Sequence, residues 1–196
     1  MWRRPMILWP ILAIPAIYLV IVTLLGMLGA DPAKTLVHSA GEYGLWLLML
    51  IMLARPLLIV AKRRELILIR RALGVACFVY ILLHVMLYVA TYLGFSLQAL
   101  LEDLYKRPYI IVGSLAFALA LIMAVTSNNY SVRALGRRWG KIHRSIYLMS
   151  ILVCIHIIWQ VKFDYGEAVM YTTFFIIMLL VRLPVIHRVL TSRVNQ

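Results

Sequence analysis

Two of the five histidines, His84 and His156, lie inside long apolar segments, where an ionisable side chain is costly and usually functional. His84 follows Arg71 by 13 residues, and His156 follows Arg144 by 12 residues. If both segments are helices that begin near these arginines, both imidazoles lie roughly 18 to 20 Å from the same membrane boundary. Two imidazoles at one depth, on helices that can be neighbours, suit the two faces of a low-spin haem iron. The sequence therefore predicts a pair of axial haem ligands.

The same histidines could serve other chemistry. Zinc is disfavoured because no third or fourth ligand of a suitable type lies near them in the sequence. A transporter that relays protons through intramembrane histidines is the alternative from another class. The 196 residues contain no Walker loop, GxGxxG, paired carboxylates or nucleophilic serine motif. We therefore predict an electron carrier with an external donor and acceptor, and we assign no catalytic residue.

His143 precedes His156 by 13 residues, or about 19.5 Å of helix rise, which is the separation expected of two haems stacked across a bilayer. Arg70 and Arg71 stand at the matching depth of the other segment, and a straight helix turns His143 about 220° away from His156. A second bis-histidine site is therefore not predicted from these two segments. His143 is a candidate for a second haem with another ligand, for contact with a propionate or quinone, or for the basic interface.

The segments that must position these histidines are predicted to be membrane helices. Hydrophobic residues make up 64% of the chain, charged residues only 14%, and the mean hydropathy is +0.94, which excludes a compact soluble fold. Each span needs about 20 apolar residues. We predict an all-α, polytopic membrane bundle, one domain over 1–196 without internal repeats. Its six spans are 6–29, 43–60, 72–93, 108–126, 145–161 and 168–181.

The net charge of +13 indicates topology and not a nucleic-acid surface, because the basic residues punctuate the apolar runs. The positive-inside rule places the following 15 of the 20 basic residues on the cytoplasmic side, together with both termini: Arg3, Arg4, Lys62, Arg63, Arg64, Arg70, Arg71, Arg133, Arg137, Arg138, Lys141, Arg144, Arg182, Arg188 and Arg193. The opposite loops carry four basic and six acidic residues.

Three ionisable residues and the two cysteines receive no firm cofactor role. Arg55 either snorkels to lipid phosphates or pairs with a cofactor carboxylate. His38, in the first outer loop, and His187, in the basic tail, are not assigned as ligands. Cys77 and Cys154 lie in apolar segments and form no disulfide framework.

Several motifs from about Leu28 to Leu183 form a specific set: Leu28-Gly29-Ala30-Asp31-Pro32, His38 with Gly41, Arg70-Arg71-Ala72-Leu73-Gly74 before His84, Arg107-Pro108-Tyr109, Leu135-Gly136-Arg137-Arg138-Trp139 before His143 and Tyr147, and His156-Ile157-Ile158-Trp159-Gln160-Val161-Lys162. Together they resemble the MsrQ (YedZ) family, haem-containing membrane subunits within the ferric reductase-like transmembrane superfamily. By this resemblance, His84, His143 and His156 match the family's haem-associated histidines. The wider superfamily uses two histidines on the third span, where this chain has arginine at the inner position.

The resemblance implies a function and a set of partners. Electrons pass through haem b from the quinone pool, or from a cytosolic flavin reductase, to a periplasmic molybdopterin enzyme (MsrP) that reduces methionine sulfoxide in proteins. It also implies FMN as a cofactor, without indicating its site here, and a location in the bacterial inner membrane. A stand-alone cytochrome b561-like reductase is the second alternative, and no nucleic acid is expected as a partner.

Overall fold

The computed structural model describes residues 8–61, 66–161 and 165–182. This part of the chain is 88% helix and contains no strand, which confirms the all-α prediction. The α-helices are α1 (Leu8–Leu24), α2 (Pro32–Ala61), α3 (Leu66–Tyr88), α4 (Leu97–Lys106), α5 (Pro108–Val125), α6 (Asn129–Leu135), α7 (Arg137–Ile142), α8 (Ile146–Gln160) and α9 (Gly166–Leu180). A π-helical turn, Val89–Leu93, follows α3, and a 3₁₀ turn, His143–Ser145, precedes α8.

Four described segments are long and apolar enough to cross a membrane: Pro32–Ala54, Ile69–Leu93, Pro108–Val125 and Arg137–Gln160. They correspond to the second, third, fourth and fifth predicted spans. The first and sixth predicted spans correspond to the shorter apolar helices α1 and α9, of 17 and 15 residues. The prediction that both termini face the cytoplasm falls on residues outside the described ranges.

The chain divides into two compact units. The first consists of Met1–Leu48 and Ile67–Lys106 and contains His84; the second consists of Met49–Leu66 and Arg107–Gln196 and contains His156. In the described part of the second unit, α5 and α8 pack closely against each other. Each unit therefore supplies one of the two histidines that the sequence singled out.

In the first unit, the hydroxyl of Tyr80 docks α3 onto α1. It donates to the carbonyl of Leu12 over 2.6 Å and accepts from the amide of Ala16 over 3.1 Å. Because Leu12 and Ala16 are four residues apart, the hydroxyl stands where the regular helical hydrogen bond would run. Pro15 lies in the same turn and cannot donate. Tyr80 thus ties the two helices one turn before His84.

The C-terminal end of α3 is less regular than the sequence predicted. The predicted third span ends at Leu93, as in the structure, but its last five residues form the π-helical turn. Gly94 then adopts a left-handed conformation with a φ of 54° and leads into α4. The sequence predicted a loop between the third and fourth spans, and the structure has α4 there. The 10 residues of this helix are too few and too polar for a membrane span, so the search for spans did not detect it. The Tyr88 hydroxyl donates to the Asp103 carboxylate and holds α4 against α3.

In the second unit, the guanidinium of Arg182 satisfies a carbonyl that a proline leaves without its helical donor. Pro56 follows Met52 by four residues in α2 and has no N–H to donate to it. Arg182 donates to the Met52 carbonyl and also to the Met178 carbonyl, and it lies over the Tyr147 ring at 5.6 Å. Since Met52 is fully buried, the Arg182 contact replaces a backbone bond that water cannot supply.

Replacing Arg182 with methionine should therefore destabilise the protein, because a buried carbonyl without a donor costs about 1 to 3 kcal/mol. The midpoint of thermal unfolding in detergent measures the loss. In a Pro56→Ala background, residue 56 regains an N–H, so the same substitution should cost measurably less. An equal loss in both backgrounds would show that the Met52 carbonyl is not what Arg182 stabilises.

Candidate haem-iron site

The imidazole of His84 is held by a backbone carbonyl from another helix. Its Nδ1 lies 2.8 Å from the carbonyl oxygen of Val37, near the beginning of α2. A carbonyl can only accept, so the proton of the neutral ring is on Nδ1 and the lone pair is on Nε2. His84 lies four residues before the end of α3. The ring is thus fixed in the tautomer that binds a metal through Nε2.

His156 is held in the same way in the second unit. Its Nδ1 lies 2.8 Å from the carbonyl oxygen of Tyr109, at the beginning of α5. Pro108 starts this helix with the backbone angle that a first helical turn requires, so the Tyr109 carbonyl lies in its first turn. His156 lies four residues before the end of α8. Its lone pair is therefore also on Nε2.

The two histidines lie in equivalent local arrangements. In each, the residue whose carbonyl accepts the hydrogen bond precedes the histidine by 47 residues, and a glycine precedes it by 43. We call Val37, Gly41 and His84 the His84 half-site, and Tyr109, Gly113 and His156 the His156 half-site. No internal repeat was predicted from the sequence. The equal spacings are visible in the sequence. They are a weak signal, because only one histidine and one glycine in each unit repeat.

A glycine faces each imidazole at close range. A Cβ atom on Gly41 would lie 3.0 Å from Nδ1 and 3.3 Å from Cε1 of His84. A Cβ atom on Gly113 would lie 2.8 Å from Nδ1 and 2.9 Å from Cε1 of His156. Sequence reasoning included Gly41 only as part of a motif and did not single out Gly113. Both rings therefore occupy space that any other residue would fill.

The donor set fits a haem iron. A metal-binding histidine usually donates its other ring N–H to a carbonyl or carboxylate, which fixes the ring and makes the ligating nitrogen more basic. Both half-sites have this feature. Within the described ranges, no three His, Cys, Asp or Glu residues converge as a tetrahedral metal site would require. Each half-site thus offers a single imidazole of the kind that serves as an axial ligand of haem.

His143 has a different environment. Its Nε2 lies 3.1 Å from Oγ1 of Thr126, and this oxygen lies closer, at 2.7 Å, to the carbonyl of Ile122. The single hydroxyl proton therefore serves Ile122, and Nε2–H of His143 donates to Thr126. Trp139 stacks on His143 with ring centroids 4.0 Å apart and donates to the Thr126 carbonyl over 2.9 Å. The described hydrogen bond of His143 thus involves Nε2, whereas those of His84 and His156 to their carbonyls involve Nδ1.

The local helix geometry also changes one prediction about His143. The predicted 220° turn between His143 and His156 assumed an uninterrupted α-helix. His143 instead begins a 3₁₀ turn, in which the rotation per residue is larger. The assumption behind the predicted angle therefore does not hold, and the contacts with Thr126 and Trp139 position the His143 ring.

The other predicted residues lie elsewhere. His38 was predicted in a loop, but α2 begins at Pro32, so His38 is exposed on this helix. His187 and the side chain of Arg55 fall outside the described part of the structure. An open cleft of about 420 Å³ adjoins the His156 half-site through Tyr109. Its lining is largely aromatic and aliphatic: Pro108, Tyr109, Ile158, Trp159, Val161 and Tyr165.

Comparison with known proteins shows the family to which the chain belongs. Residues 40–154 match the family described as the ferric reductase like transmembrane component. The chain is 36% identical over 170 residues to the protein-methionine-sulfoxide reductase heme-binding subunit MsrQ of Brucella ovis. This similarity covers 87% of the chain and 77% of that relative. The chain belongs to the ferric reductase-like transmembrane family, within its MsrQ group.

Proposed function

We propose that this multi-pass membrane protein binds haem b through His84 and His156 and carries electrons through it across the membrane. One observation carries the proposal: both histidines donate Nδ1–H to a backbone carbonyl over 2.8 Å, in two units with the same residue spacing. The MsrQ relative is itself named a heme-binding subunit, which supports the same cofactor here.

Haem supplies a one-electron carrier, and the protein supplies its ligands and surroundings. The carbonyls of Val37 and Tyr109 hold each proton at Nδ1, so His84 and His156 would hold the haem iron through Nε2 without a change of tautomer. The surrounding helices are apolar, and an apolar shell limits the access of water to the metal. The proposed role of these residues is therefore to bind and orient the haem. No residue is assigned a catalytic step.

The partners follow from the relative and from the charge pattern. The name of the Brucella ovis protein makes it the heme-binding subunit of a protein-methionine-sulfoxide reductase, and a partner of that kind is proposed here. The family resemblance is the basis for proposing a periplasmic, MsrP-like molybdopterin enzyme as the electron acceptor. The proposed donor is the quinone pool or a cytosolic flavin reductase, and the proposed location is the bacterial inner membrane. The basic side of the chain then faces the cytoplasm. FMN is proposed only from the family resemblance, and no residues are assigned to it.

His143 is proposed to stabilise the inner end of α8 and not to bind the principal haem. Its hydrogen bond to Thr126 and its stacking on Trp139 join the end of α5 to α7. A second haem at His143 would require the Thr126 contact to break, or would use the other ring nitrogen. Haem stoichiometry distinguishes these arrangements.

Absorption spectra of the purified full-length protein test the proposal. We expect a Soret band, split α and β bands on reduction, and about one haem per chain by the pyridine haemochromogen assay. A colourless protein would contradict haem binding and favour the proton-relaying transporter. Two haems per chain would return His143 to the ligand set. Turnover with small periplasmic acceptors and no partner protein would favour the stand-alone reductase.

A further inference from the structure

We propose that Gly41 and Gly113 are positioning residues for the axial ligands: each keeps open the slot in which the imidazole reaches its carbonyl. This inference rests on the proposed haem function. The observations behind it differ from those behind the haem proposal. They are the distances from each histidine ring to the Cβ atom that any other residue would carry: 3.0 Å at Gly41 and 2.8 Å at Gly113. At Gly113 a Cβ atom does not fit with the ring where it lies, and at Gly41 it fits only if the ring shifts by a few tenths of an ångström.

The position of each glycine in its helix explains the requirement. Gly41 follows Val37 by four residues, and Gly113 follows Tyr109 by four. Side chains on a helix lean toward its N-terminus, so a residue at i+4 covers the surface over the turn that contains residue i. Glycine at i+4 leaves the carbonyl of residue i accessible to a ring from the neighbouring helix. The glycine and the carbonyl therefore act together in holding the histidine.

The contacts predict unequal effects at the two positions. At Gly113, two ring atoms of His156 lie within 2.9 Å of the added Cβ, which is closer than non-bonded carbon and nitrogen atoms approach. The ring must move away, and its bond to the Tyr109 carbonyl must lengthen. At Gly41 the nearest distances are 3.0 and 3.3 Å, so a displacement of a few tenths of an ångström relieves the contact. Alanine at 113 should therefore perturb the ligand more than alanine at 41.

Two other helical glycines provide matched controls. A Cβ on Gly44, one turn after Gly41 in α2, would lie 3.1 Å from Cγ1 of Ile81 and touch no histidine. Gly44→Ala thus creates a similar crowding against a side chain that is not a ligand. Gly74, in α3, has no atom within 4 Å of an added Cβ, so Gly74→Ala tests the effect of helix propensity alone.

The experiment measures haem affinity, the electron paramagnetic resonance of the ferric haem and its midpoint potential in the full-length protein. We expect Gly113→Ala to weaken haem binding about 10- to 100-fold, as loss of an outer-shell contact does, and to shift the low-spin resonance. Gly41→Ala should shift the resonance in the same way but less, and Gly113→Val should remove the low-spin signal. Gly44→Ala and Gly74→Ala should retain the wild-type resonance and potential, even where the thermal midpoint of Gly44→Ala falls.

The outcomes separate this inference from the proposed function. Wild-type protein without haem would overturn the proposed function itself. Wild-type protein with haem, together with unchanged affinity, resonance and potential in Gly113→Ala and Gly41→Ala, would overturn only the positioning role. An equal spectral change in Gly44→Ala would also overturn it, because the effect would then come from general crowding. If Gly113→Ala fails to fold, Gly41→Ala carries the test, since its contact is tight but relieved by a small shift.

Discussion

Replacing His84 or His156 with alanine is expected to abolish the low-spin haem spectrum of the protein. In the proposed site each half-site would supply one ligand, so loss of either imidazole would leave the iron with a single histidine ligand and weakly held. The spectrum of the reduced protein and the haem content measure both effects. We expect the split α and β bands to disappear in each variant and the haem content to fall by at least about tenfold.

Two histidine variants serve as controls. His38→Ala changes an exposed side chain on α2 and should keep the full spectrum. His143→Ala removes the stacking on Trp139 and the bond to Thr126, so it should lower the thermal midpoint while the haem remains. Full spectra in both His84→Ala and His156→Ala would contradict the paired-ligand assignment. Loss of all haem in His143→Ala would mean that the principal haem lies deeper toward the cytoplasm.

Much of the helical framework could be predicted because apolar length is a strong signal for a membrane helix. The segments at 43–60 and 108–126 coincide with α2 and α5, and α2 merely begins earlier. The amphipathic helix α4 and the helices around Gly136 were not predicted, because short polar segments carry no such signal. Gly136 has a φ of 50° and a ψ of −122°, a conformation that suits glycine and separates α6 from α7.

The sequence singled out the candidate pair His84 and His156 more readily than it indicated the contacts that hold these side chains. His84 and His156 stand out because ionisable residues are rare in apolar segments. Their hydrogen-bond partners do not, since every residue has a carbonyl and only the packing of helices selects Val37 and Tyr109. The relation between carbonyl and glycine appears once the contacts are known. The equal separations then explain why two otherwise unlike helix pairs hold a histidine in the same way.

The basic surface of α7 leads to a prediction about the electron donor. Three cations of α7 are exposed to solvent, where a partner can reach their charges: Arg137, Arg138 and Lys141. A positive surface attracts a donor with an acidic surface or an anionic flavin, and such steering raises association rates about 10- to 1000-fold at low salt. The loops predicted on the opposite side of the membrane carry six acidic and four basic residues. Their net charge is therefore small, and little electrostatic steering is expected on that side.

Replacing Arg137, Arg138 and Lys141 together with glutamate should therefore slow haem reduction by a soluble cytosolic donor at least about tenfold at low salt. In the wild-type protein, salt weakens the attraction because charges farther apart than about 10 Å are screened at 0.1 M. The variant lacks this attraction, so its reduction rate should depend less on salt. Oxidation by the periplasmic partner should be nearly unchanged. Stopped-flow measurements of the two half-reactions at low and high salt test this.

The control reverses two exposed cations on the other side, Lys34 and Lys106, which should leave reduction by the cytosolic donor unaltered. Lys106 pairs with Glu102 on α4, so its reversal also removes an exposed ion pair of small energetic value. If the α7 variant is reduced normally but oxidised slowly, the proposed orientation is inverted. If neither half-reaction changes, a membrane quinol is the donor, because it reaches the haem from within the bilayer without crossing the charged surface of α7.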